Sequence, residues 1–164
     1  MNISMKPVVY RGGLVSFHIP ANWREEYEAE GGGTFYEDKP DSGTLRLNVL
    51  TFEKKEPLTP EDATREVFAG EAHEVLPCGF PMRHAVKEAE EQGTALRLYR
   101  WEVLVRVSPT KWRVACFTHT VIAAQDGITQ SKEELRLVNS IVREAQYSTE
   151  PGVVRERPWW RFWQ

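Results

Sequence analysis

The 164-residue sequence predicts an α+β fold: a largely antiparallel sheet with helices packed on its faces, an α/β/α sandwich. Three observations carry that prediction. Two long β-branched and aromatic runs, TALRLYRWEVLVRVS and KWRVACFTHTVIA, are joined only by the tight turn SPTK, which makes them the central hairpin of a sheet. The other predicted strands are linked by short turns, and short turns connect antiparallel neighbours. Two segments with helix-start chemistry, LTPEDATREVFAG and SKEELRLVNSIVREAQ, supply the covering helices.

In chain order, LVSFHI (Leu14 to Ile19) is a first strand, closed by Pro20, which cannot donate inside a ladder. WREEYEAE then reads as a short helical or turn segment with Asn22 as its cap, broken by Gly31 to Gly33. TFYED is a brief strand, KPDSG a turn, and TLRLNVLTF a strand with Leu45, Leu47 and Val49 on one side and Arg46 and Asn48 on the other. LTPEDATREVFAG starts a helix at the Thr59 cap, with Pro60 at its first position, Glu61 and Asp62 at the positive dipole end, and Gly70 as the stop. EAHEVLPCGFP is a loop, and MRHAVKEAEEQG a strand ending in an EQG hairpin turn.

In the central hairpin Tyr99, Trp101, Val103, Val105 and Val107 share a face, interrupted by Arg97 at its wet end. Ser131 and Glu134 have capping-box spacing, and Leu135, Val138, Ile141, Val142 and Ala145 form the apolar stripe of the last helix. The expected organisation is one sandwich domain over residues 1–146 and a C-terminal extension over 147–164.

Composition narrows the function classes. Hydrophobic content of 41% and charged content of 27% are those of a globular domain that buries a core. The net charge of −3 comes from well-mixed acids and bases, with no Lys/Arg block to hold a nucleic acid. The N-terminal MNISMKPVVYRGG has no apolar signal region, and no window approaches a membrane span, so the expected location is the cytoplasm. Cys78 and Cys116 are too few for a disulfide framework and read as free thiols.

With VSFHIPANW on the page, the order of elements resembles the fold family of the photosystem II extrinsic subunit P and the Ran-binding Mog proteins. Members open with a strand leading into a Pro–x–x–Trp or Pro–x–Gly–Trp element, here Pro20, Ala21, Asn22 and Trp23. The resemblance covers about residues 8 to 146. It implies a binding domain: relatives serve as an accessory subunit, as a small-GTPase partner, or as chaperones of secretion effectors in bacteria. Function does not follow from a shared fold.

No catalytic signature accompanies that fold. His18, His73, His84 and His119 have no metal-ligand spacing, and GGGT at Gly31 to Thr34 lacks the lysine and spacing of a phosphate loop. His18 and His119 fall on predicted strands, and only a cluster of both with Cys116 would argue for zinc or catalysis. The acidic run Glu88 to Gln92 reads as a solvated strand end, and Trp23 as a plug at one end of the sandwich. The expectation is a non-enzyme that needs no cofactor and no metal.

The functional lead is PWWRFWQ, Pro158 to Gln164, which holds three of the six tryptophans. Trp159, Trp160, Phe162 and Trp163 each bring about 150–250 Å² of apolar area, and Arg161 adds a residue type favoured in anchors. The segment folds back on its own sheet, docks on a partner or second copy, or dips into a membrane interface, the last weakly because Arg155, Arg157 and Arg161 are few and Glu156 opposes them. The expected function is a protein-interaction or accessory module, self-associating or binding another protein through these residues. The alternatives are a small-molecule or lipid binder with a cavity between sheet and helix, and a chaperone-like partner of a secreted effector.

Overall fold

The computed structural model describes residues 3–150. Along them run β1 (Met5–Tyr10), β2 (Val15–Pro20), β3 (Trp23–Tyr27), β4 (Gly33–Glu37), β5 (Thr44–Glu53), α1 (Pro60–Phe68), β6 (Glu74–Val75), β7 (Pro81–Glu91), β8 (Thr94–Ser108), β9 (Lys111–Ile122), a 3₁₀ turn (Ala123–Gln125), α2 (Thr129–Glu144) and β10 (Gln146–Tyr147). They form a large sheet of order β3-β4-β5-β9-β8-β7-β6 and a small one of order β1-β2-β10. Every pairing among the described residues is antiparallel.

The central hairpin forms as expected, with β5 on its other flank pairing from Thr44↔Thr120 to Glu53↔Lys111. Because side chains alternate along a strand, Trp101, Val103 and Val105 bury themselves with Ala115 and Phe117 on one face. Leu104, Trp112 and Val114 form a second cluster with Ala63 and Phe68 of α1. The first face is covered mainly by the small sheet, through Val8, Tyr10, Val15, Phe17 and Ile19, and by Val138, Ile141 and Val142 of α2. Phe17 meets Phe35 and Phe117 edge-on at centroid distances of 5.3 and 5.6 Å. The cover expected to be helical is thus largely a second sheet. Over the second face α1 packs only on the Leu104 end, and Leu50 there stays 65% exposed.

Other local expectations divide by whether the chemistry is local. Thr59 caps α1, its Oγ1 accepting from the Asp62 N–H at 3.1 Å. The helix closes on Ala69, at φ 51°, one residue before the expected Gly70. MRHAVKEAEE is a strand, and its turn uses positive φ at both Gln92 (51°) and Gly93 (79°), the geometry that suits a right-twisted hairpin.

WREEYEAE is not helical. Trp23 to Tyr27 pair with β4, because one buried ring (Trp23) and a ladder outweigh a weak local preference. β1 was not among the expected strands; it carries Pro7 and lies at a sheet edge, where a proline is tolerated. Glu74–Val75, inside the expected loop, form a two-residue strand. The Ser131–Glu134 capping box does not form either: α2 starts at Thr129 after an uncapped Ile128, which frees Glu134 for a long-range contact.

Two substitutions test this packing by chemical denaturation. Phe35→Ala should cost about 3–5 kcal/mol, because the ring is fully buried between Phe17 and Tyr27. Thr59→Ala should cost only about 1 kcal/mol, the worth of one helix cap.

Candidate functional site

The five residues singled out in the sequence, Trp159, Trp160, Arg161, Phe162 and Trp163, lie outside the described residues. The other candidates are not brought together. His18 is an exposed residue of β2 in the small sheet, whereas His119 is fully buried on β9 in the large one. Cys116 points to the opposite face from His119, three positions along the same strand, and burial raises its thiol pKa away from reactivity. Among the described residues no group of three His, Cys, Asp or Glu side chains is placed to hold a metal. Trp23 is buried at the β2–β3 corner, and Glu88 to Glu91 are solvent-facing at the end of β7.

Two polar constellations lie at the end of the sheet where β5 begins and β9 ends. In the first, His119 Nε2 lies 3.3 Å from Glu134 Oε1, an ion-pair distance without hydrogen-bond alignment, and Nδ1 has no partner. The same Glu134 oxygen accepts the Gly43 N–H at 2.7 Å. A Cβ on Gly43 would stand 2.5 Å from both that oxygen and the His119 ring, so only glycine lets the backbone approach. Glu134 thereby ties the turn before β5 to α2 over a buried imidazole.

In the second, Asp126 accepts from the Tyr99 hydroxyl at 2.8 and 2.9 Å and pairs with Arg97. Burial pushes the Asp126 carboxyl up, but the Tyr99 hydroxyl and the Arg97 guanidinium outweigh it and hold the group below the usual carboxylate range. Burial first, and then the bond to Asp126, push the Tyr99 phenol up. Both sets anchor α2 and its lead-in, the first through the Gly43–Glu134 bond and the second through Asp126. Neither presents a nucleophile with a base.

One surface feature with room for a guest is the seam between the small sheet and α2. It encloses about 200 Å³, lined by apolar groups of Met5, Val9, Phe17, Leu137 and Ile141, with Ser16, His18, Glu144 and Gln146 at its polar margin. Along it β1 leaves Met5 39% and Val9 63% exposed. Sequence reasoning missed this site because it missed β1. The available signal was the apolar alternation of Met5 and Val9 about Pro7.

The chain leaves the fold close by. β10, which contributes Gln146 to the seam, pairs with β2, and the Tyr147 hydroxyl donates to the Val142 carbonyl at 2.7 Å. Buried Arg113 then donates to the Ser148 and Glu150 carbonyls, each at 2.9 Å. A second, shallower groove of about 470 Å³ runs beside α1, between Pro60, Arg65, His73, Val75 and Pro81.

No protein-family model matches the chain, and neither does any curated protein sequence. Solved structures do share its fold. LpqN of Mycobacterium tuberculosis, described as involved in cell envelope biogenesis, is 15% identical, with a TM-score of 0.59 over 89% of this chain and 91% of LpqN. A protein from Bacteroides thetaiotaomicron is 18% identical, with a TM-score of 0.59 over 87% of this chain; the match spans only 48% of that longer protein. The Ran-binding protein Mog1p of Saccharomyces cerevisiae is 11% identical, with a TM-score of 0.49 over 93% of this chain and all of that one. Cyanobacterial PsbP from Synechocystis, 10% identical over 90% of this chain and 95% of that one, aligns at a TM-score of 0.44. The fold is shared with LpqN and the Bacteroides protein, and the subunit P and Mog proteins expected from VSFHIPANW and the order of elements are represented among the matches. At these identities the likeness is one of fold.

The Asp126 constellation has a readable pH signature. The folded chain binds this proton less readily than the unfolded chain, so the stabilisation is complete above about pH 4 and drains away as pH falls through the lower folded value. Asp126→Asn should cost on the order of 1–2 kcal/mol at pH 7 and flatten the acid limb of stability against pH, measured by urea melts at several pH values.

Proposed function

We propose that this chain is a non-catalytic protein-interaction or accessory module of a bacterial cytoplasm, self-associating through its aromatic C-terminal segment. The observation that supports this reading most is the seam beside β1: an apolar groove bordered by an edge strand with Met5 and Val9 exposed. Natural sheets blunt their edges with charge. β3 does so with Arg24 and Glu26, and the outer part of β7 does so with Lys87 and Glu90. The β1 edge carries Lys6 and Pro7 to the same effect, yet Met5 and Val9 at the groove stay exposed, which suits a docking surface. Trp and Arg, the residue types of interface hot spots, are concentrated in the segment that follows.

Size argues against the small-molecule alternative. At about 200 Å³ the seam is smaller than the roughly 300–1,000 Å³ of ligand pockets, and the larger groove beside α1 is open to solvent. A seam of this size suits a side chain presented by a polypeptide. Among the described residues no helix is long and apolar enough to cross a membrane. A chaperone-like partner of a secreted effector is a narrower form of the same reading, in which the effector supplies the side chain.

Light scattering after size-exclusion chromatography tests self-association. The full chain should run as a dimer, and a chain ending at Arg157 as a folded monomer that still melts in one cooperative transition, at a lower midpoint because association stabilises the native state. A full chain that is monomeric at high micromolar concentration would sink the self-association reading.

A further inference from the structure

The aromatic segment and the seam fit each other, and we propose that the seam between the small sheet and α2 is the seat of this chain's own residues Pro158 to Trp163, with one tryptophan ring inserted in the groove. The inference rests on the reading that this segment is the anchoring element, and adds where it lands. Four observations carry it. The groove encloses about 200 Å³ of mostly apolar space, room for one bulky side chain.

Its wall includes Gln146 of the final strand, and Arg113 clamps Ser148 and Glu150 just beyond, so the segment is delivered beside the groove. The seven residues 151–157 span up to about 25 Å when extended. A three-stranded sheet is only about 10 Å wide and a six-residue strand about 20 Å long, so every part of the seam is within reach.

Charge agrees as well. Glu144 stands at the groove's margin, and the aromatic run is flanked and interrupted by Arg157 and Arg161. The apolar Met5 and Val9 beside the groove offer flat contact to the remaining rings. The three other tryptophans, Trp23, Trp101 and Trp112, are all buried at 5% exposure or less. Quenching of tryptophan fluorescence by acrylamide in the full chain therefore reads Trp159, Trp160 and Trp163 almost alone.

The experiment compares the full chain with Val9→Glu, Met5→Glu and, as a control on the remote face, Leu50→Glu. All three positions are exposed, and circular dichroism confirms that each variant is folded. The expected result is a shielded wild type, a Stern–Volmer constant at least about twofold larger in Val9→Glu and Met5→Glu, and no change in Leu50→Glu. A wild type already as quenchable as free tryptophan overturns the proposal. So does a shielded wild type that neither groove variant releases, since the segment then sits on another surface or inserts elsewhere. Light scattering on the same samples separates this from the functional reading. A shielded monomer released by Val9→Glu keeps the seat and rejects self-association; a dimer insensitive to both groove variants keeps self-association and rejects the seat.

Discussion

The wedge of Phe17 between Phe35 and Phe117 is the contact on which the rest of the molecule depends. Phe17 belongs to the small sheet and its two neighbours to the large one, so this edge-on trio is where the layers become one core. Edge-to-face rings at 5.3 and 5.6 Å add about 0.5–1.5 kcal/mol each to area burial. More important is what the wedge positions. With β2 set on the sheet, β1 and β10 are placed on either side of it, and α2 packs alongside. The seam is the line where these two covers meet over one sheet. It exists because a short sheet and a helix differ in shape and leave a furrow between them.

Polar groups lock the covers in place. Burying a carboxylate or a guanidinium is costly unless it is paired, and the three main examples here are paired across elements distant in sequence. Glu134 of α2 reaches Gly43 and His119; Asp126 holds Tyr99 and Arg97 of β8; Arg113 of β9 binds the carbonyls of Ser148 and Glu150. Each restrains a boundary of the α2 layer: its first turns, its lead-in, and the chain just past it. The groove is therefore framed by fixed elements, and the point where the C-terminal segment departs is fixed as well.

This arrangement separates two uses of polar chemistry that look alike in sequence. A buried histidine with a glutamate beside it suggests catalysis when read as a pair of residue types. Here the glutamate oxygen is engaged by a backbone N–H, and the imidazole has no open space around it, because even a methyl group on Gly43 would collide with the ring. The solved structures that share this fold at a TM-score of 0.59 differ from this chain at more than four positions in five. A scaffold kept across such divergence does not by itself assign a function.

Much of the large sheet was legible in the sequence. The β8–β9 hairpin, β5, the Gln92–Gly93 turn, the Thr59 cap and the stripe of α2 all rest on chemistry within a few residues of one another. The small sheet was only partly legible. β2 alternates apolar residues with Ser16 and His18, whereas β1 carries a proline suited to an edge, and β10, like β3 in the large sheet, is a strand because of what lies beside it. Ser131 and Glu134 show the same limit, since their spacing permits a local cap but Glu134 meets a stronger partner 91 residues away.

For the site, the sequence by itself determined one half, the aromatic segment with its arginines, because composition is a local property. Only the tertiary structure decided the other half, the seam and the exposed β1 edge. A groove is a relation among β1, β2, α2 and β10, which lie at opposite ends of the chain and meet only once the two sheets have closed on Phe17.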